Sequence, residues 1–277
     1  MLTRNLLRVG MCCVSMFAVA CLFSLSSTAA AQSTATCTPG SMSYTSYGVN
    51  QKVGAPFTGT VKTTFEQTLA NGNRIHNEAQ SVIDRDSAGR TRTEMARGCE
   101  RGEDGQFHPQ LDVQVYDPAT HTHLSWQVGG NWAKVVQVFH EDSIQPKPPT
   151  PEQQAEQQRQ MKLAQVQQQL EQKNNKQERL GTRDINDQVA NGTRYTRTIP
   201  AGAEGNDQLI ETVQEMWSSK DLDLMLLGIS DDPRRGKTTY EFETLTLSEP
   251  DPSLFAAPAG YKVVDIHPDP VTGLVTQ

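Results

Sequence analysis

Few residues in this chain are spaced for chemistry. His121 and His123 lie two apart, so that on a strand both imidazoles would face one side and could share a metal ion. A metal site needs a third or fourth ligand with supporting hydrogen bonds, and only His140 or Asp117 suggest themselves. The plainer reading is a hairpin flank with exposed imidazoles. Asp84, Arg85, Asp86, Arg90 and Arg92 carry the charges for an anion site. Here too a plainer reading exists. Arg90 and Arg92 share a strand face and can pair with acids across a hairpin, each pair adding about 0.2–1 kcal/mol. No G-x-S-x-G, H-E-x-x-H, P-loop or dinucleotide fingerprint occurs. An enzyme would have to be assembled from dispersed residues, so the expectation is a non-enzymatic protein with no catalytic residue, resident metal or cofactor.

The cysteines lead to the chain's destination. Arg4 and Arg8 precede an apolar run, Val9 to Leu25, and small residues follow up to Ala29-Ala30-Ala31. That order reads as a secretory signal peptide over residues 1–31, cleaved between Ala31 and Gln32. At about 17 residues the run is at the short end for a membrane span. Lipidation at Cys21 is disfavoured because Leu22-Phe23-Ser24-Leu25 continues the apolar run. Cleavage removes Cys12, Cys13 and Cys21 and leaves Cys37 and Cys99, an even pair that reads as a disulfide in an oxidising compartment. Closing that loop of about 60 residues would contribute on the order of 4 kcal/mol.

Removing Arg4 and Arg8 from the 25 basic residues, with none of the 32 acidic ones, takes the net charge from −7 to −9. Such an acidic chain without a basic cluster has no electrostatic footprint for nucleic acid or anionic lipid. No stable membrane span is expected after cleavage, and the protein is expected to be periplasmic or secreted.

The elements that would position these residues are mainly strands. From Pro56 onward the period is two: Val61, Thr63, Phe65, Gln67 and Leu69 alternate with Thr60, Lys62, Thr64 and Glu66. Asn71-Gly72, Asp86–Gly89, Asp117–Thr120, Gly129–Asn131, Asn191-Gly192, Ser218–Asp221 and Asp231–Gly236 read as turns between strands. Asn191-Gly192-Thr193 is formally a glycosylation acceptor but reads better as that turn. Pro146, Pro148, Pro149 and Pro151 form an elbow before a Gln-rich helix expected to reach about Lys176. Thr150 and Gln153 sit as a capping box at its start. Asp251-Pro252 caps a single helical turn carrying Leu254 and Phe255. The expectation is a mainly β protein of about ten or eleven antiparallel strands in a strongly curved, open half-barrel. Its parts are a signal peptide at 1–31, a leader at 32–54, a β domain at 55–270 with the elbow and helix inserted at 146–179, and a tail at 271–277.

Two stretches carry a resemblance. One is Phe65–Ile75 with Arg85–Arg92. The other runs from Leu180-Gly181-Thr182 through Thr198–Ala203 and Ser230–Arg234 to Ser253-Leu254-Phe255-Ala256-Ala257-Pro258-Ala259-Gly260-Tyr261. Together they resemble a family of exported, uncharacterised proteins abundant in Acidobacteria. More distantly, the closing Ser-Leu-Phe-x-x-Pro-x-Gly-Tyr is similar to the lipoprotein-carrier fold of outer-membrane lipoprotein sorting. That resemblance implies an open half-barrel with helices in its concave side. The chain departs from it in the enlarged segment Pro146–Arg179 and in His121-Thr122-His123.

Trp126, Trp132, Trp217, Leu224, Leu226, Tyr240 and Phe242 would line a concave lipid cavity or form an ordinary core. The leading expectation is binding of an apolar ligand, a lipid or lipidated protein, or another envelope protein on that face. The competing one is a structural or protein-interaction module with a packed core and no small ligand.

Overall fold

A computed structural model describes residues 49–103, 105–130, 132–141, 149–172, 174–268 and 275–276. Residues 1–48, and with them Ala31, Gln32 and Cys37, lie outside the described residues. The first half of the chain is a meander: β1 (Phe57–Thr68), β2 (Arg74–Arg85), β3 (Thr91–Arg101), β4 (Phe107–Asp117), β5 (Thr122–Val128) and β6 (Val135–His140). Helix α1 (Pro151–Gln172) follows, then β7 (Asn175–Ile185), β8 (Gln188–Ile199), β9 (Ile210–Ser219), β10 (Leu224–Asp232) and β11 (Gly236–Thr246). A 3-10 turn at Pro252–Phe255 precedes β12 (Lys262–Pro268) and the two-residue β13 (Val275–Thr276).

These thirteen strands form one open sheet in the order β13-β12-β6-β5-β4-β3-β2-β1-β11-β10-β9-β8-β7. The two meanders therefore meet through β1 and β11, with Thr63 opposite Tyr240. Helix α1 carries the chain from the β6 end of the order to β7, its far edge. The sheet is mainly β and mostly antiparallel, as expected, with more strands than the ten or eleven read from turns. It is not wholly antiparallel, because β12 pairs parallel to β6, with Lys262 opposite Val135. No hairpin joins those two strands, so a long return through the rest of the fold is free to deliver either direction.

Several turns follow the sequence closely. Leu69 N–H donates to Asn73 O (2.8 Å) around Asn71-Gly72, and Gly72 takes φ 82°. At α1, Thr150 N–H donates to Gln153 Oε1 (2.9 Å) and Gln153 N–H to Thr150 Oγ1 (3.3 Å), a reciprocal capping box. Asp251 Oδ1 accepts from Ser253 N–H (2.9 Å) at the C-terminal 3-10 turn. The helix ends at Gln172, short of Lys176, which already belongs to β7.

Asn191-Gly192 is not a turn. The hairpin reverses at Asn186 and Asp187 (φ 49° and 58°), both in the left-handed conformation that a tight two-residue turn requires. Gly192 sits inside β8 opposite Trp217, and a Cβ there would come within 2.6 Å of the indole ring. Its lack of a side chain admits the tryptophan to the core.

Two apolar clusters hold the sheet. The larger contains Phe57, Val61, Ile83, Trp217, Leu224, Leu226, Tyr240 and Phe242, with Val49, Leu180 and Ile185 packed against it. Tyr240 and Phe242 meet edge to face at 6.1 Å, and Phe57 and Phe242 at 6.0 Å. Asn186 Nδ2 donates to Phe242 O (2.7 Å), so the β7–β8 turn reaches back to β11 across two intervening strands. The smaller cluster joins Val113, Val115, Trp126, Val136 and Val138 to Phe255 of the 3-10 turn.

The described side chains of α1 join neither cluster: residues 151–165 are all exposed, Met161 and Leu163 by 59% and 57%. The Gln-rich sequence gives α1 only a short apolar stripe, Met161, Leu163, Val166 and Leu170, of which Met161 and Leu163 are exposed. Gly192→Ala should cost about 1–3 kcal/mol in urea unfolding through overpacking against Trp217. The same change at exposed Gly202, whose Cβ would meet nothing within 4 Å, lacks that clash, though its positive φ (79°) adds backbone strain.

Candidate functional site

The face that a carrier would offer to a ligand is the first place to look. Trp126 is 7% exposed, Trp217 8%, Leu226 0%, Tyr240 3% and Phe242 4%. They fill the two clusters. Trp132 departs from the expectation: it is 47% exposed, with the Arg97 guanidinium 5.9 Å from its ring. Leu209 precedes β9 and is exposed. One groove of about 570 Å³ among the described residues lies elsewhere, between the tips of the β1–β2 and β10–β11 hairpins. Its walls include Glu66, Arg74, His76, Asp231, Asp232 and Lys237, so its character is polar and of mixed charge.

The paired histidines are split by the turn they stand on. His121 has φ 49° and precedes β5, whereas His123 is in the strand, so the two-residue spacing does not place them on one strand face. His123 Nε2 lies 2.8 Å from Glu141 Oε1, and the Tyr116 hydroxyl donates to Glu141 Oε2 (3.3 Å). The His123 interaction comes first among the influences that hold the Glu141 carboxyl below its ordinary range. His140 bonds Thr122 Oγ1 (3.1 Å) on the opposite side of the β5–β6 pair, since Thr122 faces His140 in register and His123 faces Phe139. Asp117 Oδ1 instead accepts from Ala119 N–H (2.8 Å) within the turn. Among the described residues no group of three or more His, Cys, Asp or Glu is placed to hold a metal ion. Glu141 was missed in the sequence reading. Its signal was positional, directly after β6 and opposite His121.

The charged cluster is buried and internally paired. Asp84 and Arg92 are opposite one another in the β2–β3 register, with Arg92 Nη1 3.3 Å from Asp84 Oδ2. Thr58 Oγ1 donates to Asp84, and Arg92 also pairs with Glu94. Arg90 Nε donates to Asp86 Oδ2 (2.6 Å) and its guanidinium lies 4.9 Å from the Phe255 ring centroid. Arg85 has no exposed surface and donates to the carbonyls of Ala55 (2.9 Å), Asn50 (2.8 Å) and Leu222 (2.6 Å). The arrangement is a structural knot where the leader, β2 and the β9–β10 turn meet. Arg85 and Arg92 are buried, and Arg90 is partly exposed.

Cys99 lies on β3 opposite Pro109 of β4. Cys37, its expected partner, is outside the described residues.

No protein-family model and no curated protein matches this chain. Among solved structures it is similar to an uncharacterized conserved protein from Thermus thermophilus, at 9% identity and TM-score 0.36. That match covers 76% of this chain and 91% of the other. It is similar also to the Pseudomonas aeruginosa MucA/MucB complex, at 14% identity and TM-score 0.37, covering 79% and 68%. A third is the Mycobacterium tuberculosis lipoprotein LppX, at 14% identity and TM-score 0.26, covering 72% and 91%. At such scores, function has to be argued from this chain's own geometry.

Two outcomes follow. Burial pushes the Asp84 carboxyl above the ordinary aspartate value of 3.8, against the opposing pull of Thr58 and Arg92. A raised folded value favours the fold below about pH 3.8, and that contribution is lost as pH rises through the folded value. Asp84→Asn should therefore gain stability relative to wild type as pH rises from about 3.5 to 7. A difference in urea midpoint that stays constant with pH would contradict this. Metal analysis should find equal content in wild type and in His121→Ala/His123→Ala.

Proposed function

We propose that this chain is an exported envelope protein that acts by contact with another protein, as a structural or interaction module, and not as an enzyme. The observation that carries this reading is the filling of the sheet. Trp217, Tyr240 and Phe242 in one cluster and Trp126 with Phe255 in the other are packed among their own neighbours. A carrier of an apolar ligand keeps such side chains around an open, mostly apolar pocket, and the groove between the hairpin tips is polar. Helix α1 supports the same reading, because its described side chains stand in solvent over about four turns. Its apolar stripe is short, and the Gln and Glu side chains of its described part suit a polar, hydrogen-bonded contact.

The address belongs to this proposal too. The signal peptide at 1–31 and a periplasmic or secreted location rest on the sequence. No described helix is long and apolar enough to cross a membrane. Membership of the Acidobacteria-type exported family and a lipoprotein-carrier-like fold are likewise proposals drawn from the resemblance.

Purification from the native compartment followed by organic extraction and lipid mass spectrometry tests the reading. Less than a tenth of an equivalent of lipid is expected, with no fluorescence change on adding an apolar probe. Stoichiometric lipid, or saturable probe binding abolished by Trp217→Ala in a folded variant, would replace it with the apolar-ligand reading.

A further inference from the structure

Four neighbouring strands bring one titratable residue each into a single row. Asp231 of β10 stands opposite Lys237 of β11, Lys237 opposite Glu66 of β1, and Glu66 opposite His76 of β2. Opposed residues share a face of the sheet, and neighbouring strands lie about 4.8 Å apart. The row therefore alternates acid, base, acid, base over about 14 Å. All four residues line the groove of about 570 Å³ between the hairpin tips, together with Arg74 and Asp232.

The row does not close on itself. His76 is engaged, with Nδ1 3.7 Å from Glu66 Oε1 and Nε2 3.3 Å from Glu78 Oε1. Asp232 is held by Arg234 (2.7 Å). The side chains of Lys237, Asp231 and Arg74 make no hydrogen bond or ion pair among the described residues. Further along β1 and β11 the alternative is seen. Lys62 stands opposite Glu241, and its ammonium reaches both Glu241 (3.1 Å) and Glu243 (3.3 Å). Lys237 has an acid opposite it on either side and bonds neither. Two cations and one acid are left open on one groove.

We propose that this groove holds the partner protein by an extended segment carrying an acidic and a basic side chain two residues apart. The proposal deepens the contact reading above and rests on it. Side chains two apart on an extended chain point to one side and are spaced by about 6.6–6.8 Å, between one and two strand spacings of the row. The segment's acid then pairs with Lys237 or Arg74 and its base with Asp231. An apolar ligand gains nothing from these walls, and a purely anionic one meets Glu66, Asp231 and Asp232 beside the two cations. A segment of both signs complements both. Gln67 and Thr68 in the same wall add an amide and a hydroxyl for its main chain. Exposed pairs are individually weak, so the contact is reversible and salt-sensitive.

Fluorescence anisotropy of the exported protein with a fluorescein-labelled octapeptide, Glu-Ser-Lys-Ser repeated twice, tests this. Binding should be at least about fivefold tighter than to the same peptide with Gln replacing Glu and Lys, and at least about fivefold weaker in Arg74→Gln/Lys237→Gln. Lys62→Gln, on β1 but outside the groove, should bind as wild type does. Equal affinity for the charged and neutral peptides would overturn the proposal. So would tighter binding of a peptide with Glu at all four charged positions (a site for anions only), or a double variant that binds as wild type does. Lipid extraction tests the contact reading separately, so the failure of one is distinguishable from the failure of the other.

Discussion

The guanidinium of Arg85, with no surface exposed to solvent, satisfies three backbone carbonyls from two separate stretches of chain: Asn50 and Ala55 before β1, and Leu222. Burial pushes its pKa down, opposed by the charge of Asp223. Arginine nonetheless keeps its charge in proteins, so the group cannot escape its desolvation by losing a proton. It must be hydrogen-bonded, and a fork of five donors fits carbonyls arriving from different directions. The Phe57 ring lies 4.8 Å below it and adds a cation–π contact. The start of β1, the end of β2 and the β9–β10 turn are thereby fixed at one end of the sheet. The larger apolar cluster then packs beneath, with Phe57, Ile83, Leu222 and Leu224 all members.

That knot is one of the devices by which the sheet buries aromatic side chains among the described residues. The β7–β11 half turns back on itself, seen in the hydrogen bond from Asn186 to Phe242 and in Arg183 lying 4.4 Å from the Trp217 ring centroid. The other half lacks such a return and is closed by the 3-10 turn, whose Phe255 enters the smaller cluster and is followed by Tyr261 bonding Gln127 O (3.1 Å). An open sheet has two edges to protect. At β7 the register shifts between Arg179 and Gly181, and charged side chains line the strand. Both features disfavour edge-to-edge pairing.

Much of the fold was legible because it is local. The alternation of Val61, Thr63 and Phe65, the turn at Asn71-Gly72, and the Thr150–Gln153 cap are each decided within a few residues, and each stands where the pattern puts it. The failures share a cause. Asn191-Gly192 has turn chemistry, but Trp217, a residue on another strand, needs the space over Gly192. His121 and His123 satisfy a strand spacing, but the strand begins between them. Trp132 looks like core by composition, yet its position after the Gly129-Gly130 turn leaves it at the surface. The candidate sites suffered most, since burial and pairing depend on neighbours far along the chain.

By itself the sequence determined the class of structure, through period-two alternation and turn residues, and the capped helix and 3-10 turn, through side chains that bond their own backbone. Those are short-range properties. Only the tertiary structure decided that β12 lies parallel to β6, that residues 151–165 of α1 are exposed, and that Trp126, Trp217, Tyr240 and Phe242 are buried while Trp132 is not. These outcomes depend on which apolar faces meet and which buried polar groups find partners. No window of a few residues contains both members of such a contact.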